Sequence, residues 1–322
     1  MPVITSQYNA RGAFKNTHFS TIYSAKIRRV FGVDQQRERI SLPDGDFIDI
    51  DWSYSKSGEK ATKVAVLFHG LEGNAHRPYM LGTSKILNKK GYDCVAVNLR
   101  GCSGSDNLNF RSYHSGATED VDAIMQYLQK EHKYAAVYLV GFSLGGNLIL
   151  KYLGEERCRP KNLVAAVAVS TPVHLYGSML RLSEPENRIY HWSFLMDLKH
   201  KLKAKIPQFP DYVSFDDYKK IVNLRAFDEI YTAPANGFKD ALDYYTQSSS
   251  LNFLPQIKVP TLLLNAANDT FLDDECFPFA FAKANKNLNL EVPKYGGHVG
   301  FFAKDNIYYN ERRTLKFFEE KS

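Results

Sequence analysis

A serine lies at the centre of a Gly-x-Ser-x-Gly pentapeptide formed by Gly141, Ser143 and Gly145. An apolar, β-branched run precedes it at 136–140 and an apolar run with helical spacing follows at 148–153, so the pattern predicts a strand, a sharp turn and a helix. Such a turn holds the serine in a strained conformation with its hydroxyl clear of both elements. Glycine is needed on either side because side chains there would collide as strand and helix close together. The predicted chemistry is nucleophilic attack by Ser143.

A serine hydroxyl is a weak nucleophile until a base takes its proton, and His298 is the predicted base. It lies in Gly296-Gly297-His298-Val299-Gly300, directly after the last predicted strand, where the glycines let the backbone approach the serine closely. The alternative is a buried histidine that is hydrogen-bonded for packing. Of the other histidines, His69 is predicted to shape a loop beside the reaction site. His114, in Tyr113-His114-Ser115-Gly116, precedes the serine in the chain and is therefore not predicted to be the base.

The carboxylate that orients the imidazole is predicted to be Asp269. It follows the apolar strand predicted at 261–266, and the carboxyl ends of parallel strands meet at one edge of a sheet. Asp273 and Asp274 lie a few residues further on and are alternatives. A purely structural role for Asp269, as the N-cap of a following helix, is the other interpretation. The strand that ends at 170–172 offers no carboxylate.

Two backbone N–H groups should stabilise the oxyanion that forms during attack. One is the N–H of Leu144, directly after the serine. The second is predicted to be that of Leu71, in the glycine-bearing loop after an earlier strand, with Gly70 or Glu72 as alternatives if the loop turns differently.

These residues require a sheet whose strand ends converge. Alternating apolar residues on both sides of an Asp-Gly turn predict a β-hairpin at 37–42 and 47–52. Continuous apolar runs predict strands that are covered on both faces, and predicted helices separate them, as expected for a mostly parallel, doubly wound sheet. These runs occupy 63–68, 93–99, 163–169 and 261–266, with a last strand near 288–292.

The strand and helix alternation stops between about Tyr176 and Lys258. We therefore predict three segments: an N-terminal core at 1–175, a largely helical cap at 176–258 and a C-terminal core at 259–322. Aromatic residues of the cap, such as Trp192 and Phe194, are expected to give an acyl chain an apolar wall, or else only to pack the cap onto the sheet.

One cap segment, at 194–206, has apolar residues at helical spacing and lysines between them. Such a helix could make peripheral contact with an anionic membrane surface, although a cap helix with a solvated lysine face has the same pattern.

The 322 residues carry 41 Lys and Arg, 35 Asp and Glu, and a net charge of +6. This mild excess, without a nucleic-acid-binding motif, indicates a solvated surface and no nucleic-acid partner. The four cysteines are few and irregularly spaced, which favours reduced thiols in a cytoplasmic protein. No signal peptide, membrane span, metal motif or organic-cofactor motif is recognised.

The motifs together resemble the α/β-hydrolase superfamily, and within it the YheT-like branch of esterases, which also contains eukaryotic abhydrolase-domain lipases and yeast acyl-ester esterases. The resemblance spans most of the chain, from Asn16-Thr17-His18-Phe19-Ser20-Thr21 through Phe68-His69-Gly70-Leu71-Glu72-Gly73 and Arg100-Gly101-Cys102-Ser103-Gly104 to the segment around His298. It implies Ser143, Asp269 and His298 as the catalytic triad. Asn268-Asp269-Thr270 departs from the Asp-Asp-Pro that is frequent in this branch.

The predicted function is that of a serine carboxylic-ester hydrolase that acts through an acyl-enzyme on short- to medium-chain or lipid-like esters. Acyl transfer to an alcohol by the same triad is an alternative within the enzymes. A catalytically silent binding protein on this fold is the alternative outside them.

Overall fold

The computed structural model of the chain describes residues 2–322. Within these residues the protein forms one nine-stranded sheet and a set of helices that cover it. The strands are β1 (Val3–Ile4), β2 (Gln36–Ser41), β3 (Phe47–Ser53), β4 (Lys63–Phe68), β5 (Tyr92–Asn98), β6 (Ala136–Phe142), β7 (Leu163–Val169), β8 (Thr261–Leu264) and β9 (Leu288–Glu291). The α-helices are α1 (Thr17–Ile22), α2 (Pro78–Asn88), α3 (Thr118–Glu131), α4 (Leu144–Gly154), α5 (Leu175–Ser183), α6 (Arg188–Lys205), α7 (Phe215–Lys220), α8 (Leu224–Phe227), α9 (Ala233–Ala235), α10 (Ala241–Ser248), α11 (Phe279–Ala284) and α12 (Tyr309–Glu319).

The strand order in the sheet is β1-β9-β8-β7-β6-β4-β5-β3-β2. Strands β4 to β9, and β1 beside β9, pair in parallel, whereas β2 and β3 form an antiparallel hairpin that joins the sheet beside β5. The predicted mostly parallel sheet with an N-terminal antiparallel hairpin is therefore confirmed. The edge strand β1 was not predicted, and it pairs Val3 with Leu290 and Ile4 with Glu291.

Successive residues of each inner strand belong to different hydrophobic cores, because side chains alternate between the two faces of a sheet. In β4, Val64, Val66 and Phe68 pack into one core with helices α3 and α4, while Ala65 and Leu67 pack into the other with α2 and α12. Both faces are thus covered by helices, which accounts for the continuous apolar runs of these strands.

Helices α5 to α10 lie between β7 and β8 and form the predicted helical insertion. Their apolar side chains make two further clusters, one around Leu202 and Phe227 and one around Met179 and Tyr244, separate from the cores of the sheet. The division into segments at 1–175, 176–258 and 259–322 stays a prediction. Within residues 2–322, the helices are all too short or too polar to cross a lipid bilayer.

Candidate active site

Ser143 occupies the turn between β6 and α4, with φ 52° and ψ −120°. This left-handed conformation is rare for a residue with a side chain and is retained only where the surroundings enforce it. A Cβ atom on Gly141 would overlap the carbonyl oxygen of Gly145, and one on Gly145 would overlap the carbonyl oxygen of Phe68. The two glycines therefore let strand and helix approach closely enough to strain the serine between them.

The imidazole of His298 meets the carboxylate of Asp269 after the ends of β9 and β8. The distance from His298 Nδ1 to Asp269 Oδ2 is 2.8 Å, and the Asp269 side chain is fully buried. Asp269 Oδ1 accepts a hydrogen bond of 3.0 Å from the Phe271 N–H, and the Phe271 ring lies 4.3 Å from the imidazole, centroid to centroid. Both oxygens of the carboxylate are engaged, so its orientation toward the histidine is fixed.

The loop that carries His298 is held by its backbone. The His298 N–H donates to Thr21 Oγ1 at 2.9 Å, and the Val299 N–H donates to Ser170 Oγ at 2.9 Å. Gly297 has a φ of 53°, a conformation that suits glycine. This loop therefore presents the imidazole from a rigid support.

The alternative acid Asp273 has a different partner. Its Oδ2 lies 2.6 Å from His174 Nδ1, and its Oδ1 accepts from the thiol of Cys276 at 3.1 Å. Asp269 is therefore the carboxylate that reaches His298, and Asp273 belongs to a separate pair at the base of the cap.

Ser143 and His298 line the same cavity. The hydrogen bond between Ser143 Oγ and the imidazole is not formed within residues 2–322 of this structure. Nucleophile and base are often further apart in unliganded enzymes than in the reacting complex. The structure thus brings the predicted serine and base to one cavity, with the predicted acid bonded to the base behind it, and their joint catalytic role stays a prediction.

Two of the three N–H groups considered as the second oxyanion donor are engaged by tyrosine hydroxyls. The Gly70 N–H donates to Tyr79 Oη at 3.2 Å, and the Glu72 N–H donates to Tyr113 Oη at 2.9 Å. Across residues 2–322, the Leu71 N–H has no hydrogen-bond acceptor. Of these three residues, Leu71 is consequently the one whose N–H has no partner within the described protein.

Leu71 and Leu144 both line the cavity beside Ser143. Leu144 is the first residue of α4, so its N–H has no acceptor within the helix. A Cβ atom on Gly70 would lie 3.0 Å from Ser143 Cβ, which shows how closely this loop passes the serine. The two predicted donors are therefore adjacent to the predicted nucleophile.

His69 shapes this loop. Its Nδ1–H donates to the Gly70 carbonyl oxygen at 2.7 Å, and its Nε2 accepts from the Leu99 N–H at 3.1 Å. Burial lowers the pKa of His69 to about 3, so the ring stays neutral and keeps both bonds. Its contacts are those of the predicted loop-shaping residue.

A partly buried ion pair joins this loop to the cap, and sequence reasoning missed it. Lys201 Nζ, on α6, lies 2.8 Å from Glu72 Oε2 and 3.2 Å from Cys102 Sγ. Tyr113 Oη also donates to Glu72 Oε1 at 2.6 Å, and the Glu72 side chain is only 4% exposed. Burial raises the pKa of the Cys102 thiol to about 12, so the thiol stays neutral beside the ion pair of Lys201 and Glu72. Since Glu72 follows Leu71 directly and has a φ of 51°, this pair fixes the loop that bears the predicted second donor.

The cavity has a volume of about 140 Å³ and lies between the strand ends and the cap. Its surface is mostly apolar, and the insertion between β7 and β8 contributes apolar side chains to it, among them Leu175, Met179, Phe194, Leu198, Phe227 and Tyr231. Trp192, named with Phe194 as part of the wall, is 64% exposed and lies outside the cavity. No three His, Cys, Asp or Glu side chains of residues 2–322 are grouped to hold a metal ion.

The lysines of α6 do not form one solvated face. Lys199 Nζ donates to the Ile221 carbonyl oxygen at 2.6 Å, Lys205 is buried and donates to a carbonyl oxygen, and Lys201 pairs with Glu72. Lys203 is exposed. Peripheral membrane contact stays a prediction that these three engaged lysines do not support.

Comparison with known proteins identifies the family. The family model for the alpha/beta hydrolase fold matches residues 64–305. YheT of Escherichia coli is 34% identical over 292 residues, covering 90% of this chain and 85% of that protein. Mouse phospholipase ABHD3 is 29% identical over 306 residues, covering 93% of this chain and 74% of that protein. The structure of the Pyrococcus furiosus esterase Pf2001 matches with a TM-score of 0.58 at 19% identity, covering 91% of this chain and 96% of that one. These matches confirm the resemblance drawn from the motifs: the chain belongs to the α/β-hydrolase family, as a hydrolase related to esterases and phospholipases.

Proposed function

We propose that the protein is a serine carboxylic-ester hydrolase that works through an acyl-enzyme. The observation that carries this proposal is the His298–Asp269 pair at 2.8 Å, at a cavity whose lining also includes the strained Ser143. Asp269 holds the proton of His298 on Nδ1, which leaves Nε2 free to act as a base.

In the acylation step, Ser143 Oγ attacks the ester carbonyl carbon while its proton passes to His298 Nε2. The carbonyl oxygen becomes an oxyanion that accepts hydrogen bonds from the N–H groups of Leu71 and Leu144. Loss of one such donor costs about 3 kcal/mol of transition-state stabilisation. The intermediate collapses to the acyl-enzyme when the alcohol leaves with the proton from His298. Water then repeats the sequence and releases the acid.

The apolar cap walls favour esters with an apolar acyl chain. Phe194 lines the cavity and packs near Phe271, with the two ring centroids 6.3 Å apart. An alkyl chain along this wall would remove apolar surface from water at about 25 cal/mol per Å². We therefore place the acyl chain against the cap side of the cavity.

The acyl-enzyme is tested by treating the folded protein with a fluorophosphonate probe and locating the adduct by peptide mass spectrometry. We expect the label on Ser143, and we expect Ser143→Ala to abolish both labelling and hydrolysis of a panel of esters. Hydrolysis that persists in Ser143→Ala would refute the mechanism. Added ethanol tests acyl transfer in the same assay, because an ethyl ester would then replace the free acid as product.

The acyl-chain position is tested with two aromatic-to-alanine variants of α6. Phe194→Ala enlarges the cavity and should shift the preferred chain length toward longer or bulkier acyl groups. Trp192→Ala is the matched control, because its side chain is largely exposed and outside the cavity. A chain-length profile that is unchanged in Phe194→Ala would contradict the assigned wall.

A further inference from the structure

The helical segment at 17–27 carries apolar side chains on its exposed side. It consists of α1 and the π-helical turn that continues it. Phe19 is 41% exposed, Ile22 is 40% exposed and Ile27 is 55% exposed. At about 3.6 residues per turn, these side chains and the exposed Lys26 fall on one side of the segment, which we call the outer side. Exposed apolar side chains that are grouped in this way indicate an interaction surface.

The opposite side of the segment is polar and is buried against the loop that carries His298. Ser20 Oγ donates to the Gly296 carbonyl oxygen at 3.0 Å, and Ser24 Oγ donates to the Gly300 carbonyl oxygen at 3.3 Å. A Cβ atom on Gly300 would overlap Ser20 Oγ, so helix and loop are in close contact. A helix on the surface of a soluble protein normally buries its apolar side and exposes its polar side. This segment has the reverse arrangement, which leaves its apolar side exposed.

The chain around the outer side is basic. Residues 2–33 contain no Asp or Glu, and four of their five Lys and Arg side chains are exposed: Arg11, Lys15, Lys26 and Arg29. The fifth, Arg28, is buried and pairs with Glu311. Within residues 2–322, the four exposed cations form no salt bridge. The segment therefore combines exposed apolar side chains with positive charge that the protein itself does not neutralise.

The charge on the outer side favours a lipid surface over a protein partner. The cores of protein interfaces are depleted of lysine, yet Lys26 lies among the apolar side chains. In a two-fold contact with a second copy, the Lys26 side chains of both copies would enter the same interface and repel each other. An anionic lipid surface suits both features, because apolar side chains enter the acyl boundary while lysine stems extend to the headgroups.

We infer that the outer side of the 17–27 segment docks on an anionic lipid surface. Its opposite side contacts the loop of His298, so docking would place that loop one helix diameter, roughly 10–12 Å, from the headgroups. The inference goes beyond the proposed ester hydrolysis, because it concerns where the protein binds and does not require Ser143 to react.

Co-sedimentation with vesicles tests the docking, and it uses the Ser143→Ala protein so that no lipid is hydrolysed. Vesicles of phosphatidylcholine alone are compared with vesicles that contain phosphatidylcholine and phosphatidylglycerol in equal parts. We expect binding to the anionic vesicles to be about tenfold tighter and to weaken as salt is added. Absence of binding to the anionic vesicles at low salt would overturn the inference.

Two variants of the outer side are compared with two matched controls. Phe19→Ser/Ile22→Ser should weaken vesicle binding by about tenfold or more, because it removes apolar surface that would enter the acyl boundary. Lys26→Gln should weaken it about fivefold, the contribution of one cation near an anionic surface. The controls are Phe215→Ser, at a 50% exposed aromatic that precedes two aspartates, and Lys203→Gln, at an exposed lysine of α6.

Both controls should leave vesicle binding unchanged, and circular dichroism and thermal melting establish that all variants are folded. Equal losses in the outer-side variants and their controls, or no loss in the outer-side variants, would contradict the assigned surface.

A fluorophore on the outer side reports the contact directly. Acrylodan is attached to Ile22→Cys in a Cys158→Ser background, because Cys158 is exposed whereas the other three cysteines are buried. Phe215→Cys in the same background is the matched control. Anionic vesicles should shift the emission to shorter wavelength for the label at position 22 and not for the label at position 215. No shift at position 22, or an equal shift at both positions, would count against docking through this side.

Sedimentation velocity without lipid tests a second copy as the occupant. We expect the native protein to be monomeric. A native dimer that Phe19→Ser/Ile22→Ser dissociates, together with absent vesicle binding, would assign the outer side to a second copy and overturn the lipid surface. These measurements are independent of ester hydrolysis: vesicle binding supports the docking even if Ser143 is never labelled, and its absence refutes the docking even if Ser143 is labelled and active.

Discussion

Replacement of Asp269 by asparagine should disable the base without disturbing the fold. Asp269 Oδ1 accepts from the Phe271 N–H at 3.0 Å, so the introduced amide must keep its oxygen on that side. Its NH2 group would then face His298 Nδ1, where the carboxylate oxygen lay 2.8 Å away. To accept from that NH2 group, Nδ1 must lose its proton, and the imidazole becomes the tautomer protonated at Nε2. A protonated Nε2 cannot take the proton of Ser143.

We expect kcat to fall by about 10⁴, the loss that follows when a triad histidine is held in the wrong tautomer. At 1.36 kcal/mol per tenfold change, this corresponds to about 5.5 kcal/mol of activation free energy. The assay is single-turnover acylation with a chromogenic ester, which isolates the step that needs the base. Circular dichroism and thermal melting of the variant establish that it remains folded.

Asp273→Asn is the matched control, because its carboxylate lies four residues further along and also contacts a histidine, His174, at 2.6 Å. The acylation rate of Asp273→Asn should remain within about threefold of the native rate, since His298 retains Asp269. Equal losses in the two variants, or a larger loss in Asp273→Asn, would refute the assignment of the acid.

Three other substitutions test the structure around the site. Lys201→Met leaves Glu72 buried without its cation and should lower the free energy of unfolding by about 1–3 kcal/mol. This is below the roughly 3–5 kcal/mol of a fully buried pair because Lys201 is 28% exposed. In denaturant titrations the loss should be smaller when Glu72→Gln is also present, and strictly additive effects of the two substitutions would count against the pair. Gly145→Ala should abolish the native fold or activity, because its Cβ would overlap the Phe68 carbonyl oxygen, and a melt and rate equal to those of the native protein would disprove this contact. Burial raises the pKa of Asp228 from 3.8 to about 6, so its ionisation destabilises the folded protein as pH rises from about 4 through 6. Asp228→Asn lacks this ionisation, so its melting temperature minus that of the native protein should be larger at pH 8 than at pH 4. An equal difference at both pH values would argue against the raised pKa.

Local patterns predicted the core of the sheet well. Strand β4 begins at Lys63 and ends at Phe68, as the apolar run predicts, and the hairpin pairs Gln36 with Trp52 at one end and Ser41 with Phe47 at the other. These features depend on side-chain alternation and on a local turn, both of which are present in a few consecutive residues. Strand β1 escaped prediction because two residues are too few to form a pattern, and only pairing with β9 defines them as a strand.

The candidate site was predictable where it depends on strand ends, and not where it depends on contacts between the core and the cap. Ser143, Asp269 and His298 each follow a recognisable strand, so their convergence could be expected from topology. The pair between Glu72 and Lys201 joins residues 129 positions apart, and neither has a neighbouring motif that indicates the other. In the sequence, Lys201 is one of several lysines on an amphipathic helix, and only its ion pair with Glu72 in the structure distinguishes it.

The contact between Lys201 and Glu72 gives the cap a role beyond covering the cavity. Phe194 and Leu198 supply apolar wall from the same helix that provides the cation for Glu72. A substrate that displaces α6 to enter must therefore also loosen the residue next to Leu71, whose N–H is the proposed oxyanion donor. Because a hydrogen bond to an oxyanion is effective only when its donor is already in place, return of α6 would restore the donor as the cavity closes. The position of the cap and that of the proposed oxyanion donor are thus linked through one ion pair, whose Glu72 carboxylate would be costly to bury without its cation.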